Sequence, residues 1–180
     1  MRMVARHEAT KDLGDRILKV DHAGEHGAVN IYRGQILIAR LTARHLVDEL
    51  KAFGAHEQRH RAIFAAELHL RDLPRCRSYL LCGMSGYALG LITGLLGAGA
   101  ISATTAAVER VVLRHLQHQL AVLRDNDPHA VAAISAIIAD EQQHHDASAL
   151  HLDGDAIWPR ILSPLVSAST EAVIWLGMRL

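Results

Sequence analysis

The sequence predicts an all-α protein, a four-helix bundle made from a duplicated helix pair with additional short hydrophobic helices. Three observations carry this. Apolar residues recur at helical spacings of three, four and seven, and alternating strand patterns are nearly absent. Four glutamates fall on those apolar stripes. The spacing Glu–(32)–Glu-x-x-His occurs twice, as Glu25, Glu57 and His60 and again as Glu109, Glu141 and His144, the copies offset by 84 residues.

Each element has its own signal. A first helix from about Lys11 to Leu41 carries Leu18, Val29, Tyr32 and Ile36 on one stripe. A second, from about His45 to Leu73, repeats the pattern with Leu50, Phe53, Phe64 and Leu68 until Pro74 stops it. Residues 78–108 carry no formal charge, and glycines at 83, 86, 90, 94, 97 and 99 interrupt them. That stretch is long enough to span a bilayer, for which about 20 apolar residues suffice. The glycines around Leu95–Ala100 instead predict a break into a short helix and the start of a long one. The short helix is expected to lie in or against a membrane surface rather than form a simple span. The long helix carries Val112, Leu113, Leu116, Leu120 and Leu123. Asp127 as N-cap and Pro128 at the first helical position then open a fifth helix expected to continue to about Leu150. HLDGDAIWP is expected to turn, and a last apolar helix from about Arg160 to Leu180, with Trp175 and Arg179 near its end, suits the same interface. No linker divides these elements, so residues 1–180 are expected to form a single domain.

Composition excludes several classes. Half of the 180 residues are hydrophobic and the mean hydropathy is +0.11, which rules out disorder. Nineteen Lys+Arg balance nineteen Asp+Glu, so no basic excess marks a nucleic-acid partner. Cys76 and Cys82 are too few for a disulfide framework or a thiolate metal site. The segment MRMVARHEATKDLGD lacks an apolar core of signal type, so a reducing, cytoplasmic compartment is expected. Thirteen histidines against three lysines are the anomaly, because imidazole is the side chain that most often binds metals near neutral pH.

A lone ionised carboxylate in an apolar core costs several kcal/mol, so Glu25, Glu57, Glu109 and Glu141 must be paired, protonated or bound to cations. One Glu from each of two helices plus Glu-x-x-His from each of two others is the ligand set of di-iron and di-manganese carboxylate bundles. Glu25, Glu57, His60, Glu109, Glu141 and His144 are therefore the candidate metal ligands, and ligand type alone does not separate iron from manganese. A competing motif overlaps them: His56-Glu57-Gln58-Arg59-His60 matches the H-E-x-x-H of zinc proteases. The second copy has Asp140 where the first histidine would stand, so the duplicated site explains both copies and the protease only one. Tyr32, on the Glu25 stripe, and His115, six residues after Glu109 and a candidate proton or electron relay, are the candidate catalytic side chains. Asp21 and Asp140 are either exposed charges or acceptors for a ligand imidazole. His145 is expected to be solvated or to support the ligands. His22, His26, His118 and His151 are read as surface or structural.

The strings ILKVDHAGEHGAVNIYRGQ, HEQRH, AVERVVLRHLQHQL, DEQQHHD and AVIWLGMRL, in that order, resemble the demethoxyubiquinone hydroxylase family over nearly the whole chain from about Arg16. The resemblance implies a ferritin-like fold, peripheral attachment on the cytoplasmic side of the cell membrane, and two iron ions held by the six residues reached above. It also implies an isoprenoid quinone substrate, dioxygen and an external electron donor, with a homodimer or a lipid-presenting partner also compatible with it. Three positions depart from the family pattern. Arg110 stands where a second Glu is common, and Leu116 and Gln117 stand where Tyr and Asn are common. A ferritin-type iron-binding protein, the zinc protease and a metal-free helical membrane adaptor are the rival expectations.

Overall fold

The computed structural model describes residues 2–152 and 157–180, with side-chain environments from residue 12 onward, and no strand occurs among the described residues. Among the described residues seven helices follow in order: α1 (Arg2–Thr42), α2 (Val47–Leu70), α3 (Tyr79–Leu96), α4 (Ala98–Leu123), α5 (Pro128–Ser135), α6 (Ile138–Leu150) and α7 (Ile157–Gly177). A short 3-10 turn, Arg44–Leu46, joins α1 to α2. The helix α1 begins upstream of the expected Lys11, because no Gly or Pro interrupts residues 2–10. The end of α2 is set by Asp72 in the left-handed region (φ 53°), where the Leu73 N–H donates to the Leu68 carbonyl at 2.9 Å.

The break expected near Leu95–Ala100 falls on Gly97, whose φ of 92° separates α3 from α4 and is open to glycine at no steric cost. Asp127 caps α5 by accepting from the Ala130 N–H at 3.0 Å, and Pro128 follows it as expected. The single fifth helix does not hold. The chain leaves helical geometry at Ala136–Ile137 and restarts as α6, with no glycine or proline to announce it. The break lets Ile134 and Ile137 both be fully buried while Glu141 and His144 still face inward. Of the expected HLDGDAIWP turn, residues 153–156 lie outside the described residues, and Ile157–Pro159 already belong to α7.

The order of core residues fixes the topology. One apolar cluster joins Ile17 and Leu18 of α1, Phe64 and Leu68 of α2, Leu116 and Leu123 of α4, and Ile134 and Ile137 near the α5–α6 break. A second joins Tyr32 and Ala39 of α1, Leu50 and Phe53 of α2, and Ile101 of α4. Going along the chain, α1 passes from the first cluster to the second, and α2 and α4 pass from the second to the first. Each antiparallel pair, α1 with α2 and α4 with α6, thus contributes one strip of the bundle interior. The four stripe glutamates lie between the two clusters.

The remaining long helices pack outside this frame, α3 along α1 and α7 along α4. The α1–α3 contact is backbone on backbone. A Cβ added at Gly90 would sit 2.1 Å from the Ile31 carbonyl oxygen, and one at Gly86 would sit 2.3 Å from that of Gly27. Most of the glycines of residues 78–108 are therefore not interruptions. Gly83, Gly86, Gly90 and Gly94 form the buried face of an unbroken helix. The opposite face of α3 leaves Leu80, Leu81, Met84, Ile92 and Leu95 exposed, and α7 adds Ile161, Leu165 and Trp175. By length and composition α3 is apolar enough to cross a membrane.

Candidate metal centre

Four helices each send carboxylate or imidazole groups to one point midway along the bundle. Glu25 comes from α1, Glu57 and His60 from α2, Glu109 from α4, and Glu141 and His144 from α6. All six are buried, His60 and His144 completely. Ligand atoms of Glu25, Glu57, His60 and Glu141 lie within 4.8 Å of one another, and so do those of Glu57, Glu109, Glu141 and His144. These are two overlapping groups that share Glu57 and Glu141, and each could hold a cation.

The inward atoms are short of partners. His60 Nδ1 stands 2.8 Å from a Glu141 oxygen, and His144 Nδ1 stands 3.0 Å from a Glu57 oxygen. Neither contact is aligned as a hydrogen bond. His60 Nδ1, His144 Nδ1, Glu25 Oε2, Glu57 Oε1 and both Glu141 oxygens are buried with no hydrogen-bond partner among the described residues. Buried polar atoms are nearly always paired, and these six converge on the same space, which is what a metal pair would fill. The outer nitrogens, by contrast, are engaged. The His60 Nε2–H donates to Asp140 at 2.9 Å, and Arg59 donates to the same oxygen at 2.8 Å. His144 Nε2 faces His56 Nδ1 at 3.1 Å. Holding the outer nitrogen fixes ring orientation and leaves the inner lone pair for a cation.

Electrostatics agree with the geometry. Burial, reinforced by the Glu141 charge, pushes the carboxyls of Glu25, Glu57 and Glu109 well above the usual carboxylate range. Burial acts on Glu141 the same way, but the closely facing imidazoles of His144 and His60 more than offset it and hold this carboxyl at about 2. Burial depresses His144, yet the carboxylates of Glu141 and Glu57 outweigh it and raise the imidazole to about 9. Four ionised carboxylates this close cannot persist in the interior without compensating charge. Two divalent cations would supply it in equal measure.

The other expected residues separate into those that reach the centre and those that do not. The buried Tyr32 hydroxyl donates to Glu109 at 3.2 Å, so it touches the cluster. His115 does not. It sits on the wall of an adjoining cavity, bound to Glu171 of α7 at 2.8 Å. Of the two aspartates weighed as acceptors for an imidazole, Asp140 takes that place. Asp21 instead accepts from Gln119 at 2.9 Å, and burial pushes its carboxyl up to about 7. His145 is bound to Asp146 and His151 to Glu49. His118 is exposed, and His22 and His26 pack against Tyr79. His56, the first histidine of the protease-like string, stands behind His144 and outside both groups of inward atoms. Its supporting place was not legible from that motif.

A cavity of about 450 Å³ adjoins the centre. Its walls run from Glu25, Glu57, Glu109 and Glu141 past Leu116 to the exposed Ser85, Ala88 and Ile92 of α3 and Ser169 of α7. The route from the carboxylates to the surface therefore ends at the apolar helices. Of the three departures from the family pattern, Arg110 and Gln117 are exposed, and only Leu116 lies on this wall.

Comparison with known proteins now identifies the lineage. Residues 12–177 match the family described as ubiquinone biosynthesis protein COQ7. A 3-demethoxyubiquinol 3-hydroxylase of Rhodospirillum rubrum is 35% identical over 169 residues, covering 92% of this chain and 77% of its own length. The mitochondrial NADPH-dependent 3-demethoxyubiquinone 3-hydroxylase of Homo sapiens is 33% identical over 174 residues, with coverage of 92% and 77%. A 3-demethoxyubiquinol 3-hydroxylase of Legionella pneumophila is 30% identical over 184 residues, with coverage of 94% and 84%. With its ferritin-like all-α bundle and its buried Glu/His cluster, this chain belongs to the ubiquinone biosynthesis protein COQ7 family.

Proposed function

We propose that this chain is an oxygen-dependent monooxygenase that hydroxylates the ring of a demethoxyubiquinol intermediate in ubiquinone biosynthesis. The observation that carries the reading is the set of six inward atoms without partners, next to a cavity that leads to an apolar surface. Glu25, Glu57, His60, Glu109, Glu141 and His144 would hold two iron ions. The bound pair supplies dioxygen reduction, with one oxygen atom entering the ring, the other leaving as water, and two electrons drawn from an external donor. Relatives bearing NADPH in their names make a reduced nicotinamide the donor class to test first.

The chain's own groups orient and exclude. Asp140 and His56 hold the two imidazoles by their outer nitrogens. Tyr32 holds Glu109 through its hydroxyl. His115 stands on the cavity wall six residues beyond Glu109 on α4, its ring held by Glu171 of α7. The mainly apolar walls keep water from the ring while admitting it. A substrate with an isoprenoid tail reaches useful concentration only in lipid. The exposed faces of α3 and α7 then serve to dock the bundle on the cytoplasmic side of the membrane, so that the ring enters from the bilayer. An iron-storage protein has no use for such an apolar exterior. Quinone profiling by mass spectrometry in cells lacking the protein tests the assignment. Accumulated demethoxy intermediate supports it, and an unchanged profile removes it.

A further inference from the structure

The chain's formal charge of zero does not preclude a local concentration of cations. Arg16 and Lys19 lie one turn apart on α1, Arg75 and Arg77 lie in the α2–α3 connection, and Arg179 follows α7. All five line one cleft of about 400 Å³, and no acidic side chain lines it. Asp15, next to Arg16 in the sequence, is already engaged by Arg71 at 2.8 Å. Among the described residues none of the five cations forms an ion pair, whereas Lys51, Arg59, Arg71 and Arg114 all do. Arg75 lies over the Tyr79 ring at 4.8 Å and Arg179 over the Trp175 ring at 3.8 Å. Stacking holds a guanidinium by its face and leaves edge N–H groups to meet an anion.

Position decides what kind of anion. Arg75 and Arg77 immediately precede α3, whose first exposed side chains are Leu80, Leu81 and Met84, at 70%, 52% and 73% exposure. Arg179 stacks on Trp175, itself 56% exposed at the end of α7. The cleft is therefore the cationic border of the apolar face, with an aromatic residue at the seam, the arrangement found where a protein meets headgroups. A site for a soluble phosphate has no need of that border. Resting on the membrane-docked reading above, we propose that the cleft of Arg16, Lys19, Arg75, Arg77 and Arg179 binds the phosphate of an anionic phospholipid headgroup and sets how the cavity mouth meets the bilayer.

The test is co-sedimentation of the full chain with vesicles of phosphatidylcholine alone and of phosphatidylcholine mixed with phosphatidylglycerol. The wild type should bind both, the mixed vesicles on the order of tenfold more tightly. The double variant Arg75→Gln/Arg77→Gln, at exposed positions, should lose most of that gain and keep its binding to phosphatidylcholine, with an unchanged thermal melt. A double variant of equal charge elsewhere, Arg44→Gln/Arg124→Gln, should keep the gain. An equal drop in both variants would overturn the proposal in favour of diffuse charge. Calorimetric binding of inorganic pyrophosphate to the wild type without vesicles, lost in Arg75→Gln/Arg77→Gln, would overturn it in favour of a soluble-phosphate site. If the wild type binds phosphatidylcholine but gains nothing from phosphatidylglycerol, this proposal alone fails. If it binds neither vesicle, membrane docking itself fails with it.

Discussion

Loading the metal-free protein with a divalent cation should expel protons, and the structure sets how many. Without metal, burial keeps Glu25, Glu57 and Glu109 protonated, Glu141 is ionised, and His60 and His144 are held charged by the carboxylates around them. As ligands all four carboxylates must be ionised and both imidazoles neutral. Three carboxyl protons and two imidazolium protons therefore have to leave, about five per chain near pH 6, with the apparent affinity rising steeply as pH increases. Anaerobic titration calorimetry with iron(II), repeated in two buffers of different ionisation enthalpy, counts them. Glu57→Ala should lower both the count and the metal stoichiometry. Release of one proton or none, with affinity indifferent to pH, would refute the claim that these six groups are the ligands.

Gly90→Ala places a methyl group against the Ile31 carbonyl and should cost about 1–3 kcal/mol, read as a lower melting temperature. Gly24→Ala, which meets nothing within 4 Å, should cost no stability, and equal losses at the two sites would show that the α1–α3 seam is not tight. Asp21 is raised from 3.8 to about 7 by burial, so its stabilising contribution is full below the unfolded value and is lost as pH rises through about 7. Asp21→Asn in metal-free protein should thus gain on the wild type near pH 8, by roughly 4 kcal/mol at most, and converge with it toward pH 4. A melting-temperature difference that does not change with pH contradicts this. Glu109→Ala should lose bound iron and ring hydroxylation together in metal analysis and product assay. Full turnover in that variant would remove Glu109 from the ligand set.

The centre was readable in the sequence because an ionised group on an apolar helical stripe is costly enough to demand a reason, and four of them at a repeated spacing share one. Asp127-Pro128 and Gly97 were readable because each marks a backbone state that few other residues favour. The α5–α6 break was not, since Ala136 and Ile137 carry no local signal and the turn is decided by burial of Ile134 and Ile137. The glycines of α3 misled for a related reason. Periodicity cannot tell a helix interrupted by glycine from one that uses glycine to touch a neighbour, and only the nearness of Ile31 and Gly27 separates the two. The places of His115 on Glu171, Asp21 on Gln119 and His56 behind His144 are contacts between distant helices, which no spacing within one helix encodes.

The most direct test of the account is to supply iron-loaded protein with demethoxyubiquinol, a reductant and oxygen-18-labelled dioxygen, and to weigh the product quinol. The account predicts one labelled oxygen atom on the ring, formed only when iron is bound. A product carrying oxygen from water, or an unmodified ring from fully iron-loaded protein, would contradict it.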